Sequence, residues 1–255
     1  MTGEVEQDFW RVLRELTPAR IGLRRAGASL GTEPLLDFKL AHARARDAVH
    51  EALDEERLLE VLGSLGVAAK LVASAAENRQ QFLLRPDLGR RLAGGAKANL
   101  LTLRGDYDVA FVIADGLSAR AVQSHAPPLL AGVLPKLRDE GWRIAPLIVV
   151  RNGRVAIADQ IATALNAKCV AVLIGERPGR TAPDSMGLYL TWEPRTETTD
   201  ARRNCISNIR PVGLGYVEAG FKMIQLLHAM LAQCVSGIQL KDDSEALRVT
   251  GGERT

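Results

Sequence analysis

The spacing of hydrophobic and polar positions changes near residue 80. Before that point, apolar residues recur at the three- and four-residue intervals of a helix face. Helices are therefore predicted over residues 5–16, 35–53 and 55–62. After it, continuous apolar runs rich in β-branched residues alternate with helical segments. Runs of this kind between helices are typical of parallel strands covered on both faces.

The pattern predicts individual elements of an α/β domain. Strands are predicted over residues 81–84, 107–114, 144–150, 169–175 and 188–192. Helices are predicted over residues 127–140, 157–167 and 217–233. The predicted fold is a Rossmann-like, mainly parallel sheet with flanking helices, preceded by an N-terminal helical region. We assign residues 1–75 to the helical region, 76–240 to the α/β domain and 241–255 to a polar tail.

Composition excludes several classes of protein. The chain has 255 residues, 47% of them apolar and 25% charged, which is an ordinary globular balance. A net charge of +3, scattered arginines and only 4% aromatic residues argue against nucleic-acid binding. The longest uncharged run, 223–240, contains a histidine and several glutamines, so it predicts a buried helix and not a membrane span. The acidic start of the chain has no apolar signal core.

Cysteine and histidine positions indicate neither a disulfide scaffold nor a metal site. Cys169, Cys205 and Cys234 are odd in number and far apart, which is typical of free thiols in a reducing cytosol. The four histidines are also widely separated. We therefore predict no metal ligand in this chain.

Two loops follow predicted strands and are candidates for ligand contact, because ligands of parallel α/β sheets bind at the carboxyl ends of the strands. They span residues 115–118 and 175–180. The first could equally be a helix start capped by Asp115 or Ser118, and the second a solvated turn with a surface ion pair. Neither glycine-rich phosphate-loop signature nor a nucleophile elbow is present. The residues alone predict an α/β binding domain without a catalytic centre.

Six short stretches carry a resemblance to a known family. In chain order they are residues 85–92, 113–118, 150–155, 159–161, 175–179 and 205–209. Together they resemble the small subunit, or light chain, of ethanolamine ammonia-lyase, over about residues 10–240. No single stretch is diagnostic, but their occurrence in the family's order is highly specific.

The resemblance implies a function. The family converts ethanolamine to acetaldehyde and ammonia by a radical mechanism that depends on adenosylcobalamin, a cobalt-containing cofactor. It implies that a separate large subunit holds the substrate and that the cofactor lies at the interface between the subunits. The cofactor contacts that it implies for this chain are Val155, Glu176 and Cys205, with no catalytic residue and no metal ligand.

Location and alternative functions are also expectations at this point. The cytoplasm is the expected location. A bacterial microcompartment is the alternative, although the N-terminal extension thought to direct family members there has no match in this chain. Two rival functions stay open: an autonomous Rossmann-type nucleotide or cofactor binder, and a scaffold protein without a ligand. The missing glycine signature counts against the first, and the strand-end position of the matches against the second.

Overall fold

A computed structural model describes residues 10–17, 19–23, 25–179 and 182–242 of the chain. Residues 10–15 are helical. A short hairpin of strands β1 (Arg25–Ala26) and β2 (Ser29–Leu30) follows. The predicted first helix lies partly outside the described residues, as does most of the predicted polar tail.

Two helices lead from the hairpin to the main domain. Helix α1 (Thr32–His50) is largely exposed, and Ala48 is its only fully buried residue. Helix α2 (Glu55–Gly63) begins at Asp54, whose carboxylate accepts a hydrogen bond from the backbone N–H of Arg57. Because α2 buries Leu58 and Leu62 against the core, it is part of the domain's packing, whereas α1 mostly extends along its surface.

The main sheet has six strands in the order β3-β5-β4-β6-β7-β8. The strands are β3 (Ala69–Ala73), β4 (Tyr107–Ala114), β5 (Leu147–Arg151), β6 (Ala167–Gly175), β7 (Met186–Trp192) and β8 (Asn204–Ile209). The first four are parallel neighbours. Strand β7 runs antiparallel to β6, and β8 runs antiparallel to β7 at the edge of the sheet. The predicted α/β class and mainly parallel sheet are confirmed.

Helices cover the two faces of this sheet differently. The remaining helices are α3 (Arg79–Leu84), α4 (Ala96–Leu101), α5 (Ala119–Asp139), α6 (Ile157–Leu165) and α7 (Tyr216–Gln233). Alternate residues of β4 pack into opposite cores: Phe111 belongs to the core under α5 and α7, and Val112 to the core under α6. The α5–α7 face is covered as far as β8. On the other face, α6 packs mainly on β4 and β6.

Several predicted elements were wrong or missing. Residues 81–84 form part of α3 instead of a strand, because the side chain of Asn78 caps the backbone N–H of Gln81 and starts a helical turn. A short apolar run does not by itself distinguish a helix from a strand. The predicted helix 127–140 is the second half of the longer α5, which continues through Pro127 and Pro128. Strand β8 was not predicted.

Strand β3 was also missed, since residues 69–73 were assigned to the helical region. It pairs with β5 at the sheet edge, so the sheet begins before the predicted boundary at residue 75. The division of the chain into a helical region, an α/β domain and a polar tail stays a prediction. No helix among the described residues is both long and apolar enough to cross a membrane.

Candidate functional site

The carboxyl ends of the four parallel strands form one edge of the sheet. The chain leaves β4 through α5 on one face and reaches β5. It then leaves β5 through α6 on the other face and reaches β6. A crevice opens at such a reversal of direction, and ligands of α/β sheets bind there. The loops after β4, β5 and β6 contribute to this edge.

Asp115 joins the ends of β4 and β5. Its carboxylate accepts hydrogen bonds from the backbone N–H groups of Asn152 and Gly153, both at 3.0 Å. Burial raises the pKa of Asp115 to about 6, against the opposing effects of these N–H donors and of Arg79 at 3.6 Å. Of the two capping candidates, Ser118 alone caps α5, through the N–H of Ala121. Asp115 instead holds the ends of β4 and β5 together at the crevice.

Glu176 lies directly after β6, half-buried. Its carboxylate accepts a hydrogen bond from the backbone N–H of Asn208 in β8, whose nitrogen lies 3.3 and 3.4 Å from the two carboxylate oxygens. Gly187 of β7 leaves the room for it, because a Cβ there would lie 3.0 Å from a Glu176 oxygen. Glu176 is therefore not the solvated turn residue of the alternative interpretation. Its oxygens can still accept further hydrogen bonds, since a carboxylate has about four lone-pair positions.

Cys205 is an exposed thiol on β8, not the buried apolar group that a lone cysteine usually is. It lies directly across from Tyr189 of β7. The two side chains therefore lie side by side on the same face of the sheet. Burial, followed by the proximity of Cys205, raises the pKa of Tyr189 to about 12. The pair is neutral near pH 7 and offers a polar, polarisable surface.

Val155 is half-buried between β5 and α6, where it packs against the same apolar core as Tyr189. Val155, Tyr189 and Cys205 thus belong to the α6 face of the sheet, and Glu176 borders it. From β5 to β8 there are four strand-to-strand steps, through β4, β6 and β7, or about 19 Å at the usual spacing. The structure places the three predicted residues along one broad surface, which we call the α6-side shelf, defined by Val155, Glu176, Tyr189 and Cys205.

A buried ion pair holds the shelf against α6. Two guanidinium nitrogens of Arg203, just before β8, donate to the two carboxylate oxygens of Asp159 in α6, at 2.8 and 2.7 Å. Both side chains are only 1% exposed. Although burial lowers it, the bonds to Asp159 raise the pKa of Arg203 above its usual value. Arg203 also donates to Thr191 of β7, so one side chain joins α6, β7 and the start of β8.

A separate cleft of about 620 Å³ opens at the same sheet edge, between the α1–α2 connection and the ends of β3 and β5. Asp115, Asn152 and Arg79 form part of its wall, and the rest is rich in carboxylates from Glu51, Asp54, Glu55, Glu56 and Glu77. None of the three predicted contacts lines it. Within the described part of the chain, no group of three or more histidine, cysteine, aspartate or glutamate side chains could hold a metal ion.

Comparison with known proteins identifies the family. A family profile described as ethanolamine ammonia-lyase light chain matches residues 7–241. The chain belongs to this family. Proteins named ethanolamine ammonia-lyase small subunit are similar over nearly their whole length. The one from Ralstonia nicotianae is 50% identical, with 98% of this chain and 94% of the relative covered. The one from Azotobacter vinelandii is 49% identical, with 95% and 91% covered.

A third relative of the same name, from Xanthomonas campestris pv. campestris, is 51% identical, with 94% of this chain and 89% of the relative covered. Family membership makes the chain a lyase subunit, and the resemblance found in the sequence is confirmed. The roles of Val155, Glu176 and Cys205 stay predictions. Sequence reasoning missed Tyr189 and the Arg203–Asp159 pair, and no short motif indicates either, because both depend on which strands become neighbours.

The titration of Asp115 is a testable property of this family member. Its native pKa of about 6 lies above the ordinary value of 3.8, so the native state binds the proton more tightly than the unfolded state. The free energy of unfolding contributed by this group should therefore fall as pH rises from about 4 to about 6. Carbon-13 NMR of the carboxyl carbon should show a midpoint near 6.

Asp108 is the matched control, because hydrogen bonds from Arg143 and Lys168 hold its pKa well below the ordinary value despite partial burial. The two aspartates should titrate on opposite sides of pH 3.8. Unfolding of Asp115→Asn should also lack the stability change between pH 4 and 6. A midpoint near 4 for Asp115 would contradict the assignment of a desolvated carboxylate.

Proposed function

We propose that this chain is the small subunit of an adenosylcobalamin-dependent ethanolamine ammonia-lyase and binds the cofactor at an interface with a large subunit. The observation that carries the proposal is the α6-side shelf. Val155, Glu176 and Cys205, implied by the family resemblance, come from three separate parts of the chain and share this surface. Within the described residues, α7 packs on one face of its strands β7 and β8, and the opposite face is much less covered by helices.

The shelf suits a flat ligand with amide side chains. Val155 offers apolar contact, and Glu176 has carboxylate lone pairs beyond those used by Asn208. The Cys205–Tyr189 pair offers weak polar contact without a net charge. Adenosylcobalamin, when bound, would supply the radical chemistry through homolysis of its cobalt–carbon bond, and this chain would bind, orient and shield it from water.

This chain should act only together with its partner. No acid–base cluster lies on the shelf, so the purified chain should not turn over ethanolamine, and adding the large subunit should produce acetaldehyde and ammonia. Turnover by the chain alone would exclude the interface proposal. Cofactor binding by the chain alone would favour the autonomous binder, and full activity of the large subunit alone would favour the scaffold. The cytoplasm is the location that three free thiols favour.

Replacing Glu176 by alanine should weaken cofactor binding by the assembled complex. A hydrogen bond to a charged group contributes about 1.5–3 kcal/mol, which corresponds to a loss of affinity of about tenfold or more. Equilibrium dialysis with cobalamin measures it, and Glu176→Gln should lose less because it keeps one acceptor. Glu193→Ala is the control, since that carboxylate is 57% exposed and pairs only with Arg195 among the described residues. Unchanged affinity of Glu176→Ala would return the residue to a structural role.

A further inference from the structure

Three arginines beside Val155 and Glu176 make no ion pair with a carboxylate among the residues that the structure describes. Arg154 directly precedes Val155, and Arg177 directly follows Glu176. Arg90 is brought beside them by the backbone, because the N–H of Arg154 donates to the carbonyl of Gly89 at 2.8 Å. A Cβ on Gly89 would lie 2.8 Å from Cγ of Arg154, so the two segments touch. We call these three side chains the arginine cluster.

The cluster is positively charged and makes no ion pair within the described part of the chain. Arg90 and Arg177 are exposed and make no ion pair there. Arg154 donates a hydrogen bond to the carbonyl of Phe82, and its buried Nε–H has no acceptor among the described residues. Burial and then the charges of Arg90, Arg79 and Arg177 lower the pKa of Arg154. Arginine stays protonated nonetheless, so the three like charges repel one another, and Asp115 offsets this only in part.

Neighbouring arginines, by contrast, each have a carboxylate partner. Arg85 and Arg91 both pair with Asp87, at 2.8 and 3.2 Å. Arg151 pairs with Glu55 at 3.1 Å, and Arg79 has Asp115 at 3.6 Å. Among the arginines of these neighbouring segments, within the described residues, the three that flank the predicted contacts make no ion pair. An anion from outside the described chain would relieve their repulsion.

We infer that Arg90, Arg154 and Arg177 bind the phosphodiester of the cofactor's nucleotide tail. This inference rests on the proposed function. The side chains of the corrin ring are neutral amides, and the phosphodiester is the tail's one anionic group. Guanidinium groups match phosphate oxygens with charge-assisted hydrogen bonds. Helix α6 begins two residues after Val155 and adds the positive end of a helix dipole near the same place. The separate cleft at the same sheet edge is rich in carboxylates, and these would repel a phosphodiester.

The inference predicts which corrinoids respond to loss of the arginines. Affinities of the assembled two-subunit complex are measured by equilibrium dialysis for cobalamin, for cobinamide phosphate and for cobinamide, which has no phosphate. Arg90→Gln and Arg177→Gln should each weaken cobalamin and cobinamide phosphate about tenfold. Cobinamide affinity should not change. The affinity of the unsubstituted complex for cobalamin should also fall more steeply with salt than that of the double variant Arg90→Gln/Arg177→Gln.

Arg91→Gln is the matched control, because it removes one positive charge from the next position in the chain while its partner is Asp87. It should leave all three affinities unchanged. Equal weakening of all three corrinoids, together with looser subunit association, would show that the cluster pairs with carboxylates of the large subunit and would overturn the inference. Unchanged cobalamin affinity in the double variant would also overturn it and leave the proposed function standing. Failure of the unsubstituted complex to bind any corrinoid would overturn both.

Discussion

Replacing Arg203 by methionine should lower the free energy of unfolding by about 3–5 kcal/mol, because it leaves the carboxylate of Asp159 buried without its partner. That carboxylate is 1% exposed and receives two hydrogen bonds from Arg203. The same substitution removes the donor to Thr191 and releases β8 from α6. Urea unfolding followed by circular dichroism measures the loss in stability.

Two variants separate the buried charge from the volume of the side chain. Adding Asp159→Asn to Arg203→Met removes the buried charge, so the double variant should regain part of the lost stability. Arg195→Met is the surface control, since its guanidinium is 73% exposed and lies 3.6 Å from Glu193. It should change the stability by less than about 0.5 kcal/mol. A loss of that small size in Arg203→Met would mean that water reaches Asp159.

The second large effect is expected at Gly175, the last residue of β6. A Cβ there would lie 2.1 Å from the backbone oxygen of Ser118 and 2.6 Å from that of Asp115. These are backbone atoms at the start of α5, and the N–H of Leu117 donates to the carbonyl of Gly175 at 2.9 Å. Gly175→Ala must push the two loops apart. The cost should be about 3 kcal/mol, the upper part of the range for overpacking.

The substitution should also displace Glu176, the next residue, and weaken cobalamin binding by the complex about tenfold. Thermal unfolding and equilibrium dialysis measure the two effects. Gly179→Ala in the same loop is the control, because its nearest contact to a new Cβ is an ordinary 3.6 Å. If Gly175→Ala matched the control in both measurements, the close packing of the β4 and β6 ends would be wrong.

The pattern of residues by itself determined the α/β class and the central strands. β4 was predicted with both ends correct, since a strand buried on both faces needs an uninterrupted apolar run. β6 and α7 differ from their predictions by only one or two residues at a boundary. The order of the six short motifs was enough to indicate the family, which the comparisons confirmed. These signals are local, so they can be read without knowing which segments meet.

The tertiary structure alone decided the edge strands and the surroundings of the site. β3 and β8 are short and exposed in part, so their stability comes from pairing with a neighbour and not from their own apolar content. The pairing of Arg203 with Asp159 joins residues 44 positions apart. The shelf and the arginine cluster exist only because the crossover through α6 and the antiparallel turn into β7 and β8 bring distant segments to one side of the sheet. Such neighbours follow from strand order, which no short stretch of the chain encodes.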